Sequence, residues 1–507
     1  MITLIRLPLV APIGSVNNEP VPPLALAYLA SSLKKAQIEV QGIDATGLAL
    51  NTIRPIPNTR LQYNGLGYEE IIQRINPKTR IVAISTTFTH EWNYVRESII
   101  EIKNAFPNAL IIGGGEHFSS IPEYCLRECP SLDFIGIGEG EDTLVEFCQT
   151  ILRNEDPWKI DGLCYLMNNK FIQTPQRTRI RNIDEIPWPD WELFDIAPYF
   201  ANSVSFGASF GRNMPMMLSR GCPYRCTFCS NPQMWTTRYY LRSVDDVINE
   251  IKYYIKQFQI TGIQFYDLTA VVKKNWIVDF CQSLVANKID LEWSLPSGTR
   301  SEALDGEVIS WFSKTNLRYL VYAPESASSI TLKSIKKQIS FERMVKSVRE
   351  AIRQKIVVRT NFIIGFPKEN RKELYKTLWA QLKLSFYGVD EAPLFPFQPY
   401  PGTELFDYLV AKKRIVLSPD YFNSLATLSN GRLSPPDHFY SEYIGKTELF
   451  FYRITGTFLS YLISYSVRPQ RILRTIKNLF FVNKTATVFE QRIKDKFRVM
   501  FRNSISK

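Results

Sequence analysis

Three of the eight cysteines lie close together in the sequence, in a pattern that could hold a metal centre. They form the run Gly221-Cys222-Pro-Tyr-Arg-Cys226-Thr-Phe228-Cys229, directly after an apolar segment. Three thiolates on one short loop can ligate three irons of a [4Fe-4S] cubane, and the fourth iron then has no protein ligand. We therefore predict a cluster with one open position, where a small molecule could bind.

Two other interpretations of this loop are a zinc site and a group of unligated core cysteines. A zinc site needs a fourth Cys or His near by, and His90, His117 and His438 are all at the wrong spacing. Three unligated core cysteines are the second alternative. The other five cysteines are scattered through segments predicted as helix or strand, a pattern that favours a metal site over a disulfide framework. They are Cys125, Cys129, Cys148, Cys164 and Cys281.

An aromatic residue, Phe228, precedes the last cysteine, and the whole loop resembles that of the radical S-adenosylmethionine (SAM) superfamily. The resemblance implies that Cys222, Cys226 and Cys229 are the catalytic cluster ligands. It also implies that the open iron binds SAM, whose S–C5′ bond is cleaved by one electron to release a 5′-deoxyadenosyl radical. An electron donor such as flavodoxin or ferredoxin would then be a partner.

Later segments resemble the SAM-contacting motifs of that family and follow them in order. The resemblance implies contacts with the SAM amino group, carboxylate, ribose and adenine. Lys368 stands where the family usually has Gly, and for any one residue the alternative is a solvated strand end. The implied contact residues, besides Phe228, are Tyr266 and Asp267, then Arg300, then Glu325 and Ser326, and last Gly365.

Six apolar runs separated by helical patterns must position these residues. They lie in 206–400 and predict a partial or open (β/α) barrel, in which chemistry gathers at the C-terminal ends of the strands. The runs are Met216–Leu218, Ile263–Tyr266, Trp293–Leu295, Tyr319–Tyr322, Asn361–Ile364 and Glu391–Leu394.

Residues 1–170 also alternate strand-like and helical patterns, which predicts a doubly wound parallel sheet. Predicted strands include Thr3–Ile5 and Ile81–Ser85, and predicted helices include Leu24–Leu33, Trp92–Ala105 and Glu141–Leu152. Gly-rich turns at the strand ends let a backbone approach a large ligand, although tight turns alone would also explain them.

This first region resembles the cobalamin-binding domain that precedes the radical SAM barrel in one subfamily. The D-x-H-x-x-G motif is absent, so the resemblance implies cobalamin with its own base displaced and no histidine ligand. His117 could contact the corrin, or it could be a hydrogen-bonded structural histidine. The implied cofactor-binding residues are Pro23, Leu24, Thr86, Thr87, Gly114, Gly115, Glu116, His117, Gly138, Glu139 and Gly140.

Three functions follow from these features. The first is a cobalamin-dependent radical SAM methyltransferase that acts on an unactivated carbon of a small molecule. The second keeps both cofactors but couples them to cyclisation or rearrangement without methyl transfer. The third is a cobalamin-binding regulator or an iron–sulfur electron carrier.

The net charge of +12 is concentrated in residues 441–507, where 13 Lys or Arg face 4 Asp or Glu. Aromatic residues alternate with the basic ones, which favours a membrane surface over nucleic acid. The alternative is amphipathic helices with solvated basic faces. We see no secretory signal, and the uncharged stretch Ile454–Val467 is too short to span a bilayer. We expect a cytoplasmic protein. If the basic region does bind a membrane, we expect contact with the inner face of the membrane and a hydrophobic or lipid-like substrate.

The domain prediction therefore has four parts. A cobalamin-binding domain occupies 1–170 and a linker rich in proline occupies 171–205. A radical SAM partial barrel occupies 206–400, and a mostly helical basic region occupies 401–507.

Overall fold

The computed structural model of the chain describes residues 1–15, 20–426, 438–482 and 484–503. The remaining positions of the predicted C-terminal region lie outside the described residues. The strands, in chain order, are β1 (Ile2–Arg6), β2 (Leu9–Pro12), β3 (Val40–Asp44), β4 (Ile53–Pro55), β5 (Leu61–Asn64), β6 (Ile81–Ser85), β7 (Leu110–Gly114), β8 (Phe134–Gly136), β9 (Leu163–Met167), β10 (Lys170–Gln173), β11 (Asn213–Met216), β12 (Ser219–Arg220), β13 (Tyr240–Leu241), β14 (Gly262–Phe265), β15 (Glu292–Thr299), β16 (Leu317–Glu325), β17 (Val357–Ile364) and β18 (Leu394–Pro396).

Most α-helices connect consecutive strands, and helices also make up most of the described part of the chain after β18. They are α1 (Leu24–Lys35), α2 (Ala45–Leu48), α3 (Tyr68–Ile72), α4 (Trp92–Ala105), α5 (Glu116–Ser120), α6 (Pro122–Glu128), α7 (Glu141–Leu152), α8 (Ala197–Ala201), α9 (Asn231–Trp235), α10 (Val244–Phe258), α11 (Lys274–Ala286), α12 (Gly306–Lys314), α13 (Ser329–Ser334), α14 (Phe341–Arg353), α15 (Arg371–Tyr387), α16 (Glu404–Ala411), α17 (Pro419–Ser424), α18 (Lys446–Val467), α19 (Gln470–Phe480) and α20 (Val488–Asn503). Within the described ranges, no helix has the length and apolarity needed to cross a membrane.

The chain divides into two compact units that are not continuous in sequence. The first contains Met1–Tyr199, Phe228–Tyr240 and the described part of Pro399–Ser429, and the second contains the rest. The first unit therefore includes most of the segment predicted as a linker, and it also includes α9, α16 and α17.

A seven-stranded sheet, in the order β10-β9-β8-β7-β6-β1-β3, forms the core of the first unit. Five neighbouring strands of this sheet, β8, β7, β6, β1 and β3, are parallel. The β9–β10 hairpin extends the sheet beyond β8 with antiparallel pairing. The prediction of a doubly wound parallel sheet is confirmed. Its inner strands have continuous apolar runs because helices cover both faces. A small antiparallel sheet, β2-β5-β4, was not predicted.

The second unit contains a six-stranded parallel sheet in the order β11-β14-β15-β16-β17-β18. It has six strands with helices between them, so the predicted partial barrel is confirmed. The last strand, β18, begins only at Leu394, where the predicted run Glu391–Leu394 ends, and Glu391 forms an isolated bridge with Arg359. Among the residues described, β11 does not pair with β18, so the sheet is not closed into a full barrel. The first strand ends at Met216, two residues before the prediction, because the Leu218 amide is hydrogen-bonded to a side chain and not to a neighbouring strand.

Candidate active site

The cysteine loop begins directly after β12 and contains the three most accessible thiols. Of the eight cysteines, only Cys222, Cys226 and Cys229 are partly exposed, and the other five are buried. Burial raises the pKa of core thiols such as Cys148 and Cys281 to about 12, which disfavours the thiolate that a metal requires. Burial also raises the pKa of Cys222, so the accessibility and spacing of the loop cysteines are what fit a metal-ligand role.

The arrangement of acidic, histidine and cysteine side chains bears on which metal could bind. Across the described ranges, no three such side chains lie close enough to hold a single ion. The thiolates that hold a cubane do not need to meet at one ion, because each binds a different iron. The donor set therefore fits an iron–sulfur cluster better than a zinc ion.

A buried carboxylate, that of Asp267, holds the chain in place just before the loop. It accepts hydrogen bonds from the backbone N–H of Leu218 at 3.0 and 3.1 Å, and another from the Ser219 hydroxyl. Burial raises the pKa of Asp267 to about 6 despite these bonds. Because both oxygens are engaged, Asp267 supports the loop from within. The neighbouring Tyr266 ring packs edge-to-face against Phe206, with centroids 5.6 Å apart.

Arg300, which follows β15, places its positive charge beside the loop. Its guanidinium lies 3.3 Å from the centroid of the Tyr224 ring, and its Nη2 lies 3.7 Å from Cys226 Sγ. Nη1 donates to the backbone carbonyl of Gln338, so the side chain is held from two sides. A buried cation in this position can stabilise a thiolate, a cluster or a ligand carboxylate.

At the end of β16, Glu325 has a left-handed backbone, with φ of 61°. Its carboxylate accepts a hydrogen bond from Lys337 Nζ at 2.9 Å, and both side chains are buried. The hydroxyl of Ser326 is also buried and lies 2.8 Å from Thr377 Oγ1. Sparse backbone conformations of this kind cluster at functional sites, but the Ser326 hydroxyl is directed into the protein.

A glycine and a buried acid meet at the end of β17. Gly365 has φ of 82°, and a Cβ there would lie 2.8 Å from Leu449 Cδ1. Its N–H donates to Glu369 Oε2 at 2.7 Å, and burial raises the pKa of Glu369 to about 7. Glu369 Oε1 is buried and has no hydrogen-bond partner within the described protein, as is also true of Ser301 Oγ. Buried polar atoms normally have partners, so both positions suit a ligand.

The first unit has its own ligand-accessible turn, between β7 and α5. A Cβ on Gly115, whose φ is 101°, would lie 2.6 Å from the carbonyl oxygen of Thr86. The Thr86 N–H donates to the Gly114 carbonyl at 2.9 Å, which joins the two strand ends. A Cβ on Gly114 would meet only the Gly136 carbonyl oxygen, at 4.0 Å, so a ligand can approach the backbone of Gly114. Thr87, which follows Thr86, is exposed.

The acid after this turn, Glu116, accepts a hydrogen bond from the Ser230 hydroxyl. Burial raises the pKa of Glu116. Burial also raises the pKa of Tyr400, and the nearby Glu116 carboxylate adds to that rise. Ser230 directly follows Cys229, so the end of the cysteine loop is hydrogen-bonded to the Gly-rich turn within the first unit. Phe228 is partly exposed at the same segment.

His117 is fully buried, and its ring faces the core. Its Nδ1 lies 3.3 Å from Thr89 Oγ1, its Nε2 lies 3.5 Å from Cys125 Sγ, and its ring packs 5.1 Å from that of Trp92. Burial lowers its pKa to about 3. The structure therefore supports the structural role for His117 and not contact with a corrin.

Glu139 is part of a buried ion pair with Arg179 (Nε to Oε2, 3.2 Å) and accepts a hydrogen bond from Ile180 N–H at 3.0 Å. Beside it, Gly138 has φ of 78° and borders a small cleft that Met234 also lines. The Glu139 carboxylate thus holds the chain after β10 in place.

The remaining predicted residues shape helix starts. Pro23 and Leu24 are buried where α1 begins. A Cβ on Gly140, at the start of α7, would lie 3.1 Å from Leu29 Cδ2. These positions permit close packing between α1 and α7.

Several residues of the site were not predicted from the sequence. Ser230 could have been suspected from its position next to Cys229. Tyr224 and Lys337 are identified only by their partners elsewhere in the chain, Arg300 and Glu325. Glu369 lies four residues after Gly365, but no sequence pattern indicates that its carboxylate accepts the Gly365 N–H.

Comparison with known proteins identifies the family. Residues 216–378 match the radical SAM superfamily, and residues 12–148 match the B12 binding domain. An uncharacterized methyltransferase of Pyrococcus horikoshii is 30% identical over 461 residues, which cover 90% of each chain. The chain belongs to the cobalamin-dependent radical SAM family.

Other members of this radical SAM family differ in reaction. The anaerobic magnesium-protoporphyrin IX monomethyl ester cyclase of Cereibacter sphaeroides is 24% identical over 397 residues, covering 76% of this chain and 60% of the cyclase. The radical SAM methyltransferase TsrM of Kitasatospora setae, solved with cobalamin and a [4Fe-4S] cluster, shares the fold with a TM-score of 0.67 and 16% identity. That alignment covers 100% of this chain and 99% of TsrM.

Proposed function

We propose that this radical SAM enzyme methylates an unactivated carbon of a small molecule. The observation that carries the proposal is the match to the Pyrococcus methyltransferase, which extends over 90% of both chains. Such coverage includes both cofactor-type domains and the regions that flank them. A match of this extent is explained more simply if the two proteins share a reaction than if they share only a fold.

The chemistry can be written so that it balances. When bound, the cluster would supply the electron that cleaves SAM, and the cobalamin would supply the methyl group. Overall, the substrate R–H, two SAM and two electrons give R–CH3, 5′-deoxyadenosine, methionine and S-adenosylhomocysteine. The hydrogen lost by the substrate carbon ends on 5′-deoxyadenosine. A one-electron donor of the flavodoxin or ferredoxin class would supply the electrons.

Residues of the second unit would bind and orient SAM. Cys222 and Cys226, together with Cys229, would hold the cluster. Arg300 is placed to attract the carboxylate of SAM, because its guanidinium lies beside Cys226. The partnerless oxygens of Ser301 and Glu369 would receive polar groups of the ligand.

The Gly-rich turn of the first unit would receive the cobalamin. Gly114 leaves its backbone open, and Thr87 is exposed beside it. The buried, hydrogen-bonded ring of His117 is not available as a cobalt ligand. We therefore propose cobalamin binding with the base displaced and with no histidine ligand.

Cyclisation or rearrangement without methyl transfer is the second candidate. The observation that favours it is the match to the magnesium-protoporphyrin cyclase, which covers 76% of this chain. That match leaves two fifths of the cyclase uncovered, since only 60% of it is aligned. Methyl transfer is thus the better supported reaction.

The test is an anaerobic reconstitution with iron, sulfide and hydroxocobalamin, followed by SAM labelled with deuterium in its methyl group and by a reductant. The expected outcome, measured by mass spectrometry against candidate substrates, is formation of 5′-deoxyadenosine, unlabelled S-adenosylhomocysteine and a product that carries the deuterated methyl group. A Cys226→Ala variant is the control for cluster-independent background.

Other outcomes would overturn the proposal. A product without the methyl label, formed together with 5′-deoxyadenosine, would establish cyclisation or rearrangement. An intact cluster with bound corrin but no cleavage of SAM would instead favour the regulator or electron-carrier role.

A further inference from the structure

Helix α18 of the second unit has the reverse of the usual amphipathic arrangement. Apart from Leu449 near its start, its buried residues are small or polar: Gly456, Ser460 and Ser464. It exposes Phe458 and Leu462, which are 64% and 51% accessible. A helix that packs on a protein core in water normally buries its large apolar side chains.

The next helix, α19, shows the same reversal. Arg471 and Thr475 are buried, and the Arg471 guanidinium pairs with Asp390 at 3.1 Å and also donates to the Gly388 carbonyl. Leu473, by contrast, is 72% exposed, and Phe480 is 66% exposed. Arg471 is thus engaged inside the protein, and the outward side of the helix is largely apolar apart from the exposed Gln470 and Lys477.

Helix α15 packs beside α18 and adds aromatic and cationic side chains. Trp379 is 69% exposed and Phe386 is 62% exposed, and the exposed Lys372, Lys376 and Lys383 lie along the same helix. Its one acidic residue, Glu373, is buried and paired with Lys376 at 3.0 Å.

The outward-facing residues of α15, α18 and α19, here called the apolar–basic surface, carry almost no negative charge. The acid nearest to them, Glu448 of α18, is paired with Arg371 at 2.8 Å. The sequence of α19, Gln470–Phe480, contains no acidic residue. Exposed apolar patches of this kind on a soluble domain mark an interaction site, and the charge pattern selects an anionic partner.

We propose that the apolar–basic surface binds the interface of an anionic phospholipid membrane. Trp and Tyr prefer the headgroup level of a bilayer, apolar side chains such as Phe458 and Leu473 can enter its acyl boundary, and lysines gain from the negative surface potential. The inference does not rest on methyl transfer. It is preferred over amphipathic helices with solvated basic faces because the exposed side chains of α18 and α19 are largely apolar.

The test is flotation of the full-length protein with vesicles of equal parts phosphatidylglycerol and phosphatidylcholine. We expect the protein to float with these vesicles and to be released by high salt. A triple variant, F458S/L462S/L473S, should bind at least tenfold more weakly. The matched control, L48S/V285S/V416S, replaces three equally exposed apolar residues elsewhere and should bind like the native chain.

Thermal unfolding of both variants should match that of the native protein, since every replaced side chain is exposed. A native chain that stays in the soluble fraction would overturn the proposal. Equal binding to vesicles of phosphatidylcholine alone would also contradict it, because the charge complementarity would then have no role. If light scattering shows a dimer that only the F458S/L462S/L473S variant dissociates, the surface is a contact between copies of this chain.

Discussion

The Nη2 of Arg300 lies 3.7 Å from the Sγ of Cys226, so a buried guanidinium is held against a predicted cluster ligand. Tyr224, from the same loop, stacks on that guanidinium at 3.3 Å. The cation is therefore positioned before any ligand arrives. Hydrogen bonds to the sulfurs of an iron–sulfur cluster are one of the protein's means of setting its potential.

We predict that Arg300→Gln lowers the reduction potential of the reconstituted cluster. An N–H donor and a positive charge near Cys226 both stabilise the more negative, reduced state. Their loss should shift the potential by on the order of 60 mV, which is a tenfold change in a one-electron equilibrium. Spectroelectrochemistry without SAM measures this shift directly.

Arg318→Gln is the matched control, because Arg318 is an exposed arginine of the same unit. It should leave the potential unchanged. If both variants have the native potential, Arg300 does not act on the cluster, and its contribution is limited to ligand binding.

Loss of any one loop cysteine should abolish the cluster. We expect Cys226→Ala to lack the broad iron–sulfur absorbance after reconstitution and to bind little iron. The partly exposed position of this thiol means that stability should change little. Iron and sulfide analysis, together with a urea titration, tests both parts of the prediction.

A core cysteine provides the comparison. Cys281 is buried, and Thr315 Oγ1 lies 3.7 Å from its sulfur. Cys281→Ala should retain the full iron content and lose on the order of 1 kcal/mol of unfolding free energy. Loss of iron in the Cys281 variant would contradict our inference that three loop cysteines bind the cluster and the other five do not.

The Gly115→Ala variant should damage the cobalamin-binding unit. A Cβ at this position would meet the Thr86 carbonyl at 2.6 Å, and the backbone has φ of 101°. We expect a loss of about 1 to 3 kcal/mol in stability and reduced corrin absorbance after gel filtration. Gly306→Ala, where nothing lies within 4 Å of the new Cβ, should change stability by less than about 0.5 kcal/mol.

Glu369 should make stability dependent on pH. Burial raises its pKa from 4.5 to about 7, so the folded protein holds the proton more tightly than the unfolded chain. Its contribution to stability is then complete below pH 4.5 and is lost as the pH rises through about 7. Relative to Glu369→Gln, the unfolding free energy of the native protein should fall by on the order of 3 kcal/mol across that interval.

Urea unfolding at a series of pH values measures this difference. Glu342, whose side chain is 80% exposed, supplies the control substitution Glu342→Gln. The difference between native protein and this control should not vary with pH over the same interval. A flat difference for Glu369→Gln as well would mean that Glu369 is ionised throughout.

Local patterns predicted the elements of both sheets well. The bounds of β6, α4 and α7 agree with the sequence prediction, because each has a strong period and clear ends. The β2-β5-β4 sheet was missed, since its strands are only three or four residues long and carry little pattern. Strand β11 was placed too late because the Leu218 amide bonds to Asp267, a partner 49 residues away.

The sequence by itself determined the chemistry available to the protein. The cysteine spacing, the Gly-rich turns and the strand–helix alternation are local properties, and they identified both cofactor-type domains that the family comparison then confirmed.

Only the tertiary structure decided which side chains are free to act. Asp267 and Glu139 were predicted to face cofactors, but distant parts of the chain occupy their carboxylates. The tertiary structure likewise turned His117 inward and left the apolar side of α18 outward. The reason is physical: the direction of a side chain and the partner of a buried charge depend on packing between segments far apart in sequence, which no local pattern encodes.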